Sequence, residues 1–196
     1  MDTVRYVLAV LIVVTFPPIC LFWFLVHPFA NSWRKIDPWW TYGILFSLFF
    51  TVIFILYHFR LSLIGTDYGF QPILAIAGVF CWVVAVVIYL ERRKHLTSNI
   101  LLGYPEVSKN GYPGKLLTKD IYGKMRHPRY VEIQFGYFGY ALIANFLGLY
   151  ILTILCIPAL FLVVLLEEKE LIDRFGNDYA VYSQSVPRFI PKRINK

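Results

Sequence analysis

Apolar positions along the chain cluster into long continuous stretches separated by short polar segments, with no sustained alternation of apolar and polar residues. Five stretches are long enough to be membrane helices, approximately Val4 to Val26, Trp39 to Phe59, Pro72 to Leu90, Tyr130 to Leu147 and Leu149 to Leu166. A helix crossing the hydrocarbon core needs about 20 residues at about 1.5 Å each. Pro17-Pro18 and Pro158 should kink the first and fifth helices, which neighbouring helices can accommodate. Trp33, Trp39 and Trp40 read as an interfacial aromatic belt. The first stretch has neither a positive leading region nor a small-residue cleavage site, so it is expected to stay as a helix. Between the fourth and fifth stretches the only turn chemistry is Asn145 and Gly148. These two should form a tight antiparallel hairpin, with Gly136, Gly139 and Ala144 permitting close helix approach.

Composition agrees with this pattern. The chain is 58% hydrophobic and 16% charged with mean hydropathy +0.60, far from an ordinary soluble domain. The expected fold class is an all-α polytopic membrane protein with about five transmembrane helices. It divides into N-terminal spans, residues 1–90, and a core, residues 91–196, made of a polar loop, the hairpin 130–166 and a tail helix.

The net charge of +7 could suggest nucleic acid, but its distribution points to topology and excludes a nucleic-acid partner. Residues 91–129 hold nine Lys/Arg against three Asp/Glu, and residues 167–196 hold six against five. Arg5, Arg34, Lys35 and Arg60 are the rest, all near the ends of apolar stretches. The positive-inside rule places the nine-cation loop in the cytoplasm. The N-terminus is then outside, loop 27–38 inside, loop 60–70 outside and the C-terminus inside. Glu132 is the one carboxylate inside an apolar stretch, and no Lys or Arg lies mid-span. An ion channel or proton pump would place ionisable groups at the midplane, so chemistry is expected at the cytoplasmic border. Cys20, Cys81 and Cys156 lie in apolar stretches without C-x-x-C spacing, and neither a disulfide framework nor a metal site is expected.

At that border lies "KMRHPRYVE", residues 124–132. Pro128 suits the first position of a helix with His127 at its cap, because its ring presets the helical dihedral and its missing N–H costs nothing there. The free N–H groups behind it and the helix dipole suit a carboxylate or phosphate. Arg126 and Arg129 add cationic donors that would serve a ligand or lipid headgroups. The fifth stretch ends in Glu167-Glu168, which at a helix C-terminus would oppose the dipole. They are read either as solvated residues of a helix that continues or as acceptors for ribose hydroxyls or a ligand ammonium. Beyond them, Leu171, Phe175, Tyr179 and Tyr182 form an apolar stripe at helical period, which Gly176 should weaken only slightly. "SVPRFIPKR" should be extended and fold back onto the basic loop. No dinucleotide-binding G-x-G-x-x-G or P-loop is present.

"GKLLTKDIYGKMRHPRYVE", the hairpin and "EEKELIDRFGNDYAVYSQSVPRFIP" together resemble the isoprenylcysteine carboxyl methyltransferase family and its bacterial relatives, membrane enzymes that use S-adenosylmethionine. The resemblance covers residues 114–191. It implies that Gly114, Lys115, Leu116, Leu117 and Tyr122 line the cofactor. It implies further that Arg126, His127, Pro128, Arg129 and Tyr130 form the cofactor-contacting Arg-His-Pro-x-Tyr segment. Glu167, with Glu168 beside it, matches the family's cofactor-contacting glutamate. Two positions depart from the pattern. Val163 stands where the prenylcysteine enzymes have an arginine thought to hold the substrate carboxylate, and Asp120 replaces a glycine. The cofactor half is thus intact and the acceptor half altered.

Methyl transfer from S-adenosylmethionine fits these residues. A sulfonium is already an activated donor, so the protein needs to align the acceptor and exclude water. An amine acceptor would also need a proton acceptor, for which His127 and Glu132 are the candidates. The expected partners are membrane lipids and a lipophilic small molecule or lipidated acceptor. The rival readings are an NADPH-dependent membrane reductase of the steroid-reductase type and a non-catalytic membrane protein that retains the fold. The sequence names neither the acceptor atom nor the oligomeric state.

Overall fold

The computed structural model describes residues 2–95, 103–108 and 115–190. Gly114 and Lys109 of the basic loop, and the tail from Pro191 onward, lie outside the described residues. All regular elements among the described residues are helical: α1 (Asp2–Val26), α2 (Ala30–Trp33), α3 (Pro38–His58), α4 (Arg60–Ile64), α5 (Pro72–Arg92), α6 (Tyr104–Val107), a 3-10 turn (Asp120–Gly123), α7 (Pro128–Ala144), α8 (Leu147–Phe175) and α9 (Asn177–Ser185). The protein is an all-α polytopic membrane protein.

Four helices, α1, α3, α5 and α8, are long and apolar enough to cross a membrane. The fourth apolar stretch forms α7, which has 17 residues and is therefore about 25 Å long against a hydrocarbon core of about 30 Å. Two residues trim it. Pro128 occupies its first turn, and Asn145 adopts the left-handed conformation (φ 58°) as its C-cap. Of the roughly five expected spans, four meet that length and composition among the described residues, and the fifth, α7, is the short helix of the hairpin. Proline also sets the start of α3 and α5, and at α3 the Asp37 carboxylate accepts the Trp39 N–H at 3.0 Å.

α5 packs closely against α7 through glycine. A Cβ at Gly78 would lie 2.8 Å from the Gly139 carbonyl oxygen, and one at Gly139 would collide with the Trp82 ring. Gly136 meets open space instead. The apolar residues of α3 and α5 that face outward, such as Phe54 and Ile73, are largely exposed, as lipid-facing positions should be. α1 is buried along one side and contributes Val13, Phe16, Cys20 and Trp23 to the core.

The two ends of the bundle are tied differently. At one end the hairpin turn is clamped: Arg5 Nε donates to the Ala144 carbonyl at 2.9 Å and the guanidinium pairs with Asp67. The Asn145 side chain donates to the Gly69 carbonyl at 2.8 Å and accepts from the Tyr150 hydroxyl at 2.8 Å. The other end gathers α2, the start of α7, the far half of α8 and α9, with Arg34 pairing with Glu170 at 3.1 Å.

The tail departs from expectation in one respect and meets it in another. α8 runs through to Phe175, so Glu167 and Glu168 sit mid-helix and do not oppose a helix terminus. Gly176, with φ 55° and ψ −127°, ends α8 outright, because that conformation is open almost only to glycine. The chain then returns onto the basic segment: Arg126 N–H donates to Pro187 O at 2.9 Å and His127 N–H to Arg188 O at 3.0 Å.

Candidate active site

His127 is the N-cap of α7, but its side chain does not cap the helix. It reaches across to α8, where Nε2 lies 3.0 Å from Glu168 Oε1 and Nδ1 lies 3.5 Å from Glu167 Oε2. The ring is buried. Burial by itself disfavours the imidazolium, yet the hydrogen bonds and charges of Glu167 and Glu168 outweigh it, and the His127 pKa is raised above its ordinary value. The motif "RHPRY" and the Glu-Glu pair thus form one cluster.

The two carboxylates are not equivalent. Glu168 is buried and surrounded by cations: besides His127, Arg126 Nη2 lies at 2.9 Å and Arg188 donates through Nε and Nη2 at 3.0 and 2.8 Å. Arg126 also donates to the Ser183 carbonyl at 3.0 Å. Glu168 therefore binds the start of α7 to the returning tail. Glu167 is only half-buried, accepts a hydrogen bond from Tyr130, and keeps Oε2 without a hydrogen bond among the described residues. It is the member of the pair with capacity left for a ligand.

Beside this cluster, a pocket of about 270 Å³ opens between α1, α5, α7 and α8. Its apolar wall includes Phe16, Ile133, Leu160 and Val163, and its polar rim is Arg92, Arg129 and Glu132. Arg92 donates to both oxygens of Glu132, at 2.6 and 3.1 Å. Arg129 stacks over the Trp23 ring at 4.9 Å from its centroid. Val163 is fully buried in the same wall, so the position where the resemblance expects an arginine faces a pocket whose cations come from α5 and α7.

The remaining expected residues divide. Tyr122 is buried in the 3-10 turn, with its carbonyl accepting the Tyr182 hydroxyl at 2.6 Å. Burial pushes its hydroxyl pKa up, so it stays a neutral donor and ring surface. Pro128 and Tyr130 are buried at the start of α7. Lys115 is exposed and Leu117 half-buried. Leu116 lines a separate open groove of about 480 Å³ with Thr118, Asp178 and Tyr182. Sequence reasoning missed three contributors. Arg92 reads as one of nine loop cations, Trp23 as one more apolar residue of the first span, and His27 as an ordinary loop residue. His27 stacks on Trp23 at 5.0 Å, and both its ring nitrogens are buried without hydrogen-bond partners among the described residues. Burial lowers its pKa, with Glu167 acting in the opposite sense.

Residues 73–178, more than half of the chain, match the family model of the phospholipid methyltransferases. The chain belongs to that family. No curated protein and no solved structure matches the chain. The phospholipid methyltransferase region starts in α5 and ends in α9, so it holds Arg92, the "RHPRY" segment, the hairpin and both glutamates. α1 lies outside it and still supplies Trp23 to the pocket. The isoprenylcysteine-type resemblance over 114–191 falls largely within this membrane methyltransferase family, and membership tells against the steroid-reductase reading.

Proposed function

We propose that this phospholipid methyltransferase family member transfers a methyl group from S-adenosylmethionine to a lipophilic or lipidated acceptor at the membrane border. The observation that carries the reading is His127 on the first turn of α7 meeting both Glu167 and Glu168 on α8. The sulfonium supplies an activated methyl group and needs no metal or base to leave. Glu167 Oε2, which lies 3.5 Å from His127 Nδ1 and accepts no hydrogen bond among the described residues, suits ribose hydroxyls or the donor's ammonium. Tyr122 and Tyr130 offer ring surface to the adenine. Lys115, Leu116 and Leu117 precede the 3-10 turn and would line the donor from the loop side, with the α7 N-terminus and Arg129 near its carboxylate. Arg126, Pro128 and Glu168 hold His127 and the tail in place.

This arrangement favours an acceptor that arrives already nucleophilic. The two carboxylates beside His127 favour its protonated form, and Glu132 accepts from Arg92 through both oxygens. Both are thereby weakened as proton acceptors, and placement in line with the sulfonium carries the rate enhancement. By the positive-inside rule this end of the bundle faces the cytoplasm.

Thermal unfolding of the detergent-purified protein with S-adenosylhomocysteine, with NADPH and with neither tests the reading. Stabilisation of about 2.7 kcal/mol is expected from S-adenosylhomocysteine at about 100 times its dissociation constant. Stabilisation by NADPH alone would overturn the assignment, and no response to either would leave a fold without donor binding.

A further inference from the structure

Asp120 opens the 3-10 turn with a positive φ of 54°. Glycine takes such a backbone freely, and glycine is what the resemblance to the isoprenylcysteine enzymes expects at this position. Other residues are strained there, aspartate and asparagine less than most. The aspartate side chain has a contact that glycine would lack. Its Oδ2 lies 3.0 Å from His95 Nε2, at ion-pair distance although out of line for a hydrogen bond. His95 follows α5 closely, and its backbone N–H donates to the Arg92 carbonyl at 3.0 Å. The same imidazole meets the Tyr122 ring edge to face, with 6.1 Å between centroids and 86° between planes. From the opposite direction the Tyr122 carbonyl accepts the Tyr182 hydroxyl of α9. The turn is therefore held twice, by α9 at its backbone and by His95 at its carboxylate and its aromatic ring.

We propose that His95 and Asp120 are positioning residues for the methyl donor, tying the 3-10 turn to the end of α5 and setting the orientation of the Tyr122 ring. The proposal deepens the proposed function and rests on it for the donor being S-adenosylmethionine. His95 and Asp120 bracket residues 96–119, so their contact brings both ends of the basic loop to one place. Lys115, Leu116 and Leu117 run directly into the turn that this contact fixes. Without it the donor would bind only the fraction of molecules whose turn is in place, and the apparent affinity would fall by that fraction. The end of α5 thus serves two walls: Arg92 faces Glu132 in the pocket, and His95 supports the donor turn. The Asp120 side chain is 64% exposed, which keeps the contribution modest.

Isothermal titration calorimetry of the full detergent-purified chain with S-adenosylhomocysteine tests this on three variants. Asp120→Asn keeps a residue tolerant of positive φ and removes the charge. His95→Phe keeps a ring against Tyr122 and removes the imidazole nitrogens. The third variant carries both changes. Each single variant is expected to bind about two- to fivefold more weakly, the scale of a partly exposed ion pair. The double variant should bind no more weakly than the worse single one, because its second change removes a contact already broken. The ligand-free unfolding midpoint should stay within about 2 °C of the parent, since the pair ties one turn and not the bundle. Parent-like affinity in either single variant, or losses that multiply in the double one, overturns the proposal. A matching fall in the ligand-free midpoint also overturns it, by making the pair a general stabiliser. If the parent itself does not bind S-adenosylhomocysteine, the donor reading fails first and the proposal falls with it.

Discussion

His127 Nε2 lies 3.0 Å from Glu168 Oε1, joining the first turn of α7 to the middle of α8 across 41 positions of sequence. Through that contact, an apparently polar border motif becomes a buried ion-paired node. The same carboxylate takes Arg126 and Arg188, so one residue holds two helices and the tail.

Glu167 and Glu168 should therefore respond oppositely to substitution. Glu168→Ala leaves three cations facing a vacated site. Removing one partner of a buried ion pair costs about 3–5 kcal/mol, so this variant should lose much of its thermal stability. Glu167→Ala should unfold close to the parent temperature but lose S-adenosylhomocysteine binding. Unchanged affinity in a folded Glu167→Ala protein would remove Glu167 from the donor site.

The raised His127 pKa sets a pH dependence. A histidine whose folded pKa lies above the unfolded value contributes stability that is fully present below the ordinary value of 6.5 and is lost as pH rises through the folded pKa. The unfolding midpoint should fall over that window on the alkaline side of 6.5, and His127→Gln should flatten the fall. A midpoint that rises with pH there would contradict an imidazolium held between two carboxylates.

Val163 has no exposed surface and lines the pocket with Arg92 and Arg129. Val163→Arg would add a third guanidinium there. It should change acceptor preference in competition turnover assays while leaving S-adenosylhomocysteine affinity within about threefold of the parent, less than the roughly 1.4 kcal/mol that a tenfold change represents. A large loss of donor affinity would show that the two pockets are not separable.

Gly139 is needed for the contact between α5 and α7. Gly139→Leu would push a side chain into Trp82 and the Gly78 backbone. Overpacking costs about 1–3 kcal/mol where side chains can adjust. Backbone lies on one side here, so the loss should reach or exceed that range. Gly136→Ala, facing open space, should be nearly neutral. Equal thermal unfolding of the two variants would argue against the glycine seam.

Much of this was legible without coordinates because it depends on local chemistry. Continuous apolar stretches specify membrane helices, since backbone groups in lipid must be satisfied within the helix. Pro128 specifies where one helix begins, and Asn145 with Gly148 specifies the hairpin. The "RHPRY" and Glu-Glu segments were recognisable as chemistry because charge at the edge of an apolar stretch is costly without a partner. What tertiary structure alone decided is which partner each charge has. Charge counting assigns Arg92 to a loop, whereas packing turns it inward onto Glu132, and α1 contributes Trp23 from outside the family region. Gly176 reads as a mild weakness in a helical stripe, and only its backbone conformation shows that the helix ends there. Helix boundaries follow from residues adjacent in sequence, while the pairing of Glu168 with Arg126, His127 and Arg188 follows from distances that only the folded chain sets.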